Sequence, residues 1–195
     1  KKKQYNQAIE YSNKAVNEFK NTNNKFDLSK CYMVLAKANN KLLKKEQALE
    51  FTNTSMAINY EIDNNSKIIE ALLLKSYLLL DSKPTVAKNQ AEETLKLINS
   101  QTSNEIKADL YKLLYLCYKG NNQPGKALSM IEKHTVYKDS FQLEKNKILI
   151  VKETIKSEYE NKLQVSKAIN EKESAIVKLT YTYRIYFVVS LTILL

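Results

Sequence analysis

The side chains best suited to catalysis or metal binding are few and far apart. His134 is the single histidine of the sequence, and Cys31 and Cys117 stand 86 residues apart. A metal site or a nucleophilic triad needs several such groups at matched spacing. The sequence has no CxxC pair and no glycine-rich phosphate loop. We therefore predict no enzyme, no metal site and no cofactor. We expect His134 to be a structural or surface residue and both cysteines to be small core side chains.

The basic residues argue against a nucleic-acid interface. The net charge of +10 comes from 31 basic and 21 acidic residues, yet Arg184 is the sole arginine. Arginine is the usual side chain for bidentate recognition of bases and phosphates, so a lysine excess favours a solvated surface. Thirteen tyrosines could form a stacking platform for single strands. However, Tyr32, Tyr77, Tyr111 and Tyr118 fall at positions expected to pack between helices, so we predict no direct nucleic-acid contact.

These side chains must be positioned by helices. The chain has 195 residues, of which 44% are apolar, with two glycines and two prolines. So few glycines disfavour an all-β fold. Small residues recur at spacings of 40, 39 and 40, at Ala8, Ala48, Ala87 and Ala127. A small side chain at that position lets two helices of a hairpin cross closely. The spacing therefore predicts an all-α array of helix-turn-helix units, with Pro84 in the first turn of a helix.

Two hairpins repeat the same series of packing residues. The matching positions are Tyr32, Leu35, Ala36, Ala48 and Ser55 in one, and Tyr111, Leu114, Tyr118 and Ala127 in the other. This series resembles tetratricopeptide repeats (TPR) over residues 4–137. Ala8 and Ala15 fit the second helix of a truncated first repeat. The resemblance implies a TPR-like solenoid at residues 1–137, with a period near 40 rather than the family's period of about 34.

The resemblance also implies a binding groove. In TPR arrays the first helix of each hairpin lines a concave surface that holds a peptide. The positions that match are Lys37, Asn40, Lys41, Lys75, Lys112 and Lys119. Several lysines in one concavity would favour an acidic protein or peptide partner. The alternative is that they are ordinary solvated lysines.

The C-terminal part has a different pattern. Neither glycine nor proline occurs after Gly125, so we predict one long connector helix over residues 138–184. Its apolar residues advance by three or four positions, at Ile148, Val151, Ile155, Tyr159 and Leu163. Two interpretations remain open. The helix is either a coiled-coil-like arm that forms a homodimer through residues 138–184, or a solvated connector.

The last residues suggest contact with a membrane. Residues 185–195 carry no charge, and a spanning helix needs about 20 apolar residues. The chain stops within this run, and Arg184 just before it could snorkel to the interface. We therefore predict the start of a transmembrane helix, with a buried core helix as the alternative. Because the sequence begins with Lys1 rather than methionine, we expect a fragment of a longer protein.

The order of these parts suggests a function. A repeat array, a long helix and an apolar run together resemble the N-terminal sensory half of bacterial membrane-anchored TPR transcriptional regulators and histidine kinases. The resemblance implies a periplasmic array, a single span in the bacterial inner membrane, and a downstream effector that is absent from this sequence. That effector would be a helix-turn-helix DNA-binding domain or a histidine kinase. The expected function is non-enzymatic protein–protein interaction and signal sensing. The alternative is a TPR scaffold or adaptor without signal transmission.

Overall fold

The computed structural model describes residues 2–194, and the side chains of residues 2–186. This part of the chain is all-α, as predicted, with seven helices and no strand. The helices are α1 (Lys2–Asn21), α2 (Lys25–Lys41), α3 (Lys45–Glu61), α4 (Asn65–Leu79), α5 (Pro84–Leu97), α6 (Asn104–Gly120) and α7 (Pro124–Leu194).

The chain divides into two compact units. The first unit ends at Gln142 and contains α1–α6 and the beginning of α7, and the second unit starts at Leu143. Helix α7 has 71 residues, so the long helix predicted for residues 138–184 continues the second helix of the last hairpin. Pro124 begins α7 and Pro84 begins α5, where a missing backbone N–H costs the helix nothing.

The first unit is a helical repeat array. From α1 to α6 each helix packs on the next, and α4 also packs on α6, which joins one hairpin to the following one. The small residues predicted at the crossing points are buried: Ala48 and Ala87 completely, and Ala127 to 5% exposure. Ala8 in α1 is half-buried. The spacing of 40 and 39 residues therefore does mark close contacts between helices.

Four of the turns between helices share one backbone conformation. Their middle residues, Asn23, Leu43, Asp63 and Asn122, have φ between 51° and 62°. This left-handed region suits asparagine and aspartate, whose short polar side chains bond locally, much better than leucine. The first three of these residues follow one another at intervals of 20 positions, which is half of the repeat length that the alanines show. The turn geometry thus repeats with the hairpins although none of these residues is glycine.

The interface between α2 and α3 contains buried polar side chains beside apolar ones such as Leu35 and Ala48. Ser29, Ser55 and Asn59 are at most 1% exposed. The Ser55 hydroxyl donates to the backbone carbonyl of Ser29 at 2.8 Å, and the Asn59 side-chain amide donates to the carbonyl of Ser55 at 2.8 Å. Buried polar groups are tolerated when they are hydrogen-bonded in this way.

The interface around α6 is apolar instead. Leu110, Leu113 and Leu114 are completely buried and belong to one cluster with Leu73 of α4 and Ala91 of α5. Full burial of a leucine contributes about 1.5–3 kcal/mol. The apolar driving force of the array is therefore concentrated in its later hairpins.

The second unit is a single helix whose described side chains, over residues 143–186, are all exposed. In the part of the chain that the structure describes, no helix has an apolar stretch long enough to cross a bilayer. The expected transmembrane start at residues 185–195 lies outside the described side chains from residue 187 onward. The membrane-leading part of the expected fold therefore finds no support in the described residues.

Candidate functional site

A groove runs along the first helices of three successive hairpins. Its volume is about 350 Å³, and its lining comes from α2, α4 and α6. Leu73, Leu74 and Ile106 supply apolar surface. The charged lining residues are Lys37, Lys67, Glu70, Glu105 and Asp109. The groove thus combines an apolar floor with charges of both signs.

Glu70 is the centre of one charged cluster in the groove. Its carboxylate accepts hydrogen bonds from the ammonium groups of Lys37 on α2 and Lys67 on α4, the latter at 2.7 Å. Burial raises the pKa of Glu70, but the two lysine hydrogen bonds outweigh burial and hold the pKa below its usual 4.5. Lys37 is therefore engaged by Glu70 and connects two neighbouring hairpins.

Tyr77 forms the next connection along the groove. Its hydroxyl donates to the backbone carbonyl of Asp109 at 2.9 Å, which joins α4 to α6. Burial raises the pKa of Tyr77 well above its usual value of 10, so the hydroxyl remains a donor. Burial also raises the pKa of the Asp109 carboxyl, against the opposing effect of Lys112, His134 and Lys37.

A second cavity, of about 300 Å³, adjoins the groove between α6 and the first part of α7. Asp109, Lys112 and His134 contribute to its lining. The Nδ1 atom of His134 lies 2.8 Å from the backbone carbonyl oxygen of Ala108, a distance at which a protonated Nδ1 donates. This contact gives His134 the structural role that the sequence suggested.

Two of the six predicted groove residues line these cavities. Lys37 lines the groove and Lys112 lines the adjoining cavity. The other four line neither of them: Asn40, Lys41, Lys75 and Lys119. Among these, Lys119 has its ammonium 5.7 Å from the ring centre of Tyr115.

The structure adds groove residues that sequence reasoning missed. They are Lys67, Glu70, Tyr77, Glu105 and Asp109. The sequence did contain one indication of these contacts. The residues that contact each other lie on the first helices of successive hairpins and are separated by nearly the same number of positions. Lys37 precedes Glu70 by 33 positions, and Tyr77 precedes Asp109 by 32. Complementary polar residues at that separation could have indicated the contacts.

Cys117 and the four tyrosines pack within the array as predicted, whereas Cys31 is not a core residue. Burial raises the pKa of Cys117 to about 11, so its thiol stays neutral and unreactive. Cys31 is half-buried, and both cysteines are free thiols. The Tyr111 ring stacks on that of Tyr137 at 5.4 Å between centres, and the Tyr118 hydroxyl donates to the Glu92 carboxylate. Within the described residues, no group of His, Cys, Asp and Glu side chains could hold a metal ion.

Comparison with known proteins gives a fold and no family. No protein-family model and no curated protein matches the chain. Among solved structures, the crystal structure of BtubC (BKLC) from P. vanneervenii is similar, with a TM-score of 0.61 and 14% sequence identity. The match covers 71% of this chain and 58% of BtubC, so it spans just over half of that protein's length. At this identity the likeness supports the helical, repeat-like fold alone.

The groove is suited to binding. Its apolar floor can bury side chains, and its carboxylates, ammonium groups and hydroxyls can fix the orientation of a polar ligand. Two cations and three carboxylates line it, so the lining alone does not favour an acidic ligand. The acidic partner expected from the lysines therefore stays a prediction.

Proposed function

We propose that this chain is a non-enzymatic protein-binding segment of the TPR superfamily, whose groove holds an extended or helical segment of a protein. One observation carries the proposal. The groove is lined by the first helices of three successive hairpins, α2, α4 and α6, as a continuous recognition surface in a repeat array would be.

The size and chemistry of the groove support a peptide ligand. A volume of about 350 Å³ lies within the range of about 300–1,000 Å³ that is usual for ligand pockets. Leu74 and Ile106 offer apolar contacts, and Ser66, Ser103 and Glu105 offer hydrogen-bonding groups. The contacts Lys37–Glu70 and Tyr77–Asp109 hold the three helices in place before binding, which lowers the entropic cost of association.

A matched pair of charge reversals tests the groove. Peptides are selected from a random library on the full chain, and their affinities are measured by fluorescence anisotropy. Glu105 and Glu46 both lie in the first turn of their helices and both are exposed, but Glu105 alone lines the groove. We expect Glu105→Lys to change the affinity of the selected peptides about tenfold, close to 1.4 kcal/mol, while Glu46→Lys leaves it unchanged. Equal effects of the two substitutions would contradict the assignment of the groove.

We further propose that the segment senses a signal for a membrane-anchored bacterial regulator. The array would lie in the periplasm, a single span in the inner membrane would follow it, and the long helix α7 would relay ligand binding to a helix-turn-helix or histidine-kinase effector. The support is the order of the parts in the sequence. A scaffold or adaptor without signal transmission is the second candidate, because the groove needs no effector to bind a protein.

The topology of the intact protein separates these two candidates. Single cysteines are introduced near Asn64 and near the C-terminus, after Cys31 and Cys117 have been replaced. Membrane-impermeant labelling that reaches the Asn64 site from outside, and the far terminus from inside, supports the sensor. If both sites label from inside only, the sensor proposal fails and the adaptor is retained.

A further inference from the structure

Helix α7 carries a heptad pattern that runs through most of the second unit. Its apolar a positions are Ile148, Ile155, Ile169, Ile176 and Tyr183, and its apolar d positions are Val151, Val165, Leu179 and Tyr186. All nine are exposed. We call this line of residues the α7 seam. Polar residues interrupt it at Glu158, Lys162 and Lys172.

We propose that two copies of the chain pair along the α7 seam as a parallel, in-register, two-stranded coiled coil. This names the partner and the geometry of the arm that the proposed function uses as a relay. It does not depend on the ligand of the groove. The seam extends over about 60 Å of helix at 1.5 Å per residue. It covers more than the three to four heptads that indicate a coiled coil, with its apolar residues divided into three runs by the polar interruptions.

The residue types of the seam favour a parallel dimer. Four of its a positions are isoleucine, and β-branched side chains at a favour two parallel strands. In a parallel, in-register pair each apolar layer meets the same apolar layer of the second copy. An antiparallel pair that matches Lys162 with Glu158 would be centred on residue 160. It would leave Ile176 and Leu179 opposite residues before Ile148, where the seam has not begun.

Two of the three polar interruptions, Glu158 and Lys162, are complementary in charge. Glu158 and Lys162 are four residues apart on the seam, and both side chains lie in the described range, where no ion pair joins the two. One ion pair of the second unit joins Lys156 to Glu160 at 3.8 Å. Helical side chains lean toward the N-terminus, so Lys162 of one copy would reach toward Glu158 of the other, about 6 Å along the axis. A shift by one heptad would place Lys162 opposite Ile155 or Ile169, so this step also fixes the register.

Neighbouring residues on the same helix provide a matched control. Ile148 and Ile176 lie on the seam at 68% and 62% exposure, while Ile150 and Val177 lie off it at 62% and 67%. The full chain, without any groove ligand, is studied by sedimentation equilibrium. We expect the wild type to have twice the mass of 22.5 kDa that one chain has. The double variant I148E/I176E should raise the dimer dissociation constant at least about a hundredfold, and I150E/V177E should leave it unchanged.

Either of two results would contradict the proposed pairing along the α7 seam. The wild type remains monomeric at every concentration, or both double variants dissociate to the same extent. Circular dichroism shows whether each variant keeps its helices. Because this experiment contains no groove ligand, a negative result on dimerisation does not contradict the proposed peptide binding. A negative result on peptide binding likewise does not contradict the proposed dimer.

Cysteine cross-linking tests the orientation. Val165 is a d residue and Lys167, two positions later, faces away from the seam at an f position. In the parallel, in-register pair the two copies of V165C lie within disulfide range, whereas K167C does not. Mild oxidation should therefore produce a covalent dimer from V165C. K167C and the wild type, which keeps Cys31 and Cys117, give the background. A dimer whose V165C variant does not cross-link contradicts the parallel register.

Discussion

Leu43 is held in an unfavourable backbone conformation that substitution should relieve. It is the middle residue of the turn between α2 and α3, with φ of 62°. The left-handed region costs an L-residue about 1–2 kcal/mol. At the equivalent positions of other turns the chain has Asn23, Asp63 and Asn122. We therefore expect Leu43→Asn to stabilise the protein.

The magnitude follows from the exposure of the side chain. Leu43 is 83% exposed, so about a sixth of the 1.5–3 kcal/mol of a fully buried leucine, roughly 0.3–0.5 kcal/mol, is lost on substitution. Relief of the backbone cost exceeds this loss, and the net gain is about 0.5–1.5 kcal/mol. A domain of this size gains about 2–4 °C in melting temperature for each kcal/mol.

Urea denaturation followed by helical circular dichroism measures this gain. The midpoint should rise while the slope of free energy against urea stays constant. Asn23→Gly is the matched control, because asparagine already tolerates the conformation, and its effect should be smaller. Leu43→Val should destabilise, since a β-branched residue at positive φ is disfavoured further. If Leu43→Asn is neutral or destabilising at constant slope, the backbone argument is refuted.

Three further substitutions test the packing and the charges of the array. Glu70→Gln should lower the free energy of unfolding by up to about 1 kcal/mol near neutral pH. Because the folded pKa of Glu70 lies below 4.5, this contribution is present above that pH and is lost as the pH falls through the folded pKa. Urea titrations at several pH values check both effects, and a deficit that persists in acid would contradict the cause. Gly125→Ala should stabilise α7 in thermal melts by up to about 0.5 kcal/mol, less than in a helix interior because Gly125 is the second residue of α7, since an added Cβ meets no atom within 4 Å; a loss would argue against that free space. Asn59→Ala should cost about 1–3 kcal/mol, because it removes the buried hydrogen bonds of the Asn59 side chain to Ser29 and Ser55 and leaves a cavity, whereas Asn53→Ala on the exposed face of the same helix should cost almost nothing. Similar costs for both would show that the buried hydrogen bonds contribute little.

The hairpins could be predicted because their determinants are local and repeat. A small residue at Ala48, Ala87 and Ala127 is needed wherever two helices cross closely, and that need is visible as a spacing. Proline at a first helical position was equally readable from Pro84. The positive φ at Leu43 could not be predicted, because glycine is the residue that usually indicates this conformation and the chain has leucine there.

The groove was harder to predict because it depends on how successive hairpins stack. The register of the family positions suggested lysines on the first helices, and Lys37 does line the groove. Its partner Glu70 comes from the next hairpin, and Asp109 from the one after. Which of these side chains meet depends on the angle between neighbouring hairpins, and that angle is not encoded in the spacing of any single helix.

The apolar stripe of α7 shows how a choice of period changes an interpretation. Steps of three and four residues from Ile148 lead through Ile155 to Tyr159 and Leu163, the line first seen in the sequence. A strict seven-residue period leads instead from Ile155 through Glu158 and Lys162 to Val165. Along the seven-residue period two charged residues separate Ile155 from Val165. A short stretch of sequence around them therefore does not show the heptad pattern.

The leucine cluster packs around α6, whereas the α2–α3 interface mixes buried apolar residues with serine and asparagine, and this difference predicts which end of the array opens first. A repeat array can unfold from one end while the rest stays folded. The end with less buried apolar surface opens at lower free energy. Amide protons of α2 and α3 should therefore exchange with solvent sooner than those of α6, and a protease should cut first near the N-terminal turns. The groove is lined by α2, α4 and α6, so it includes both regions. A ligand bound across these helices would therefore slow amide-proton exchange most in α2 and α3, far from the leucine cluster.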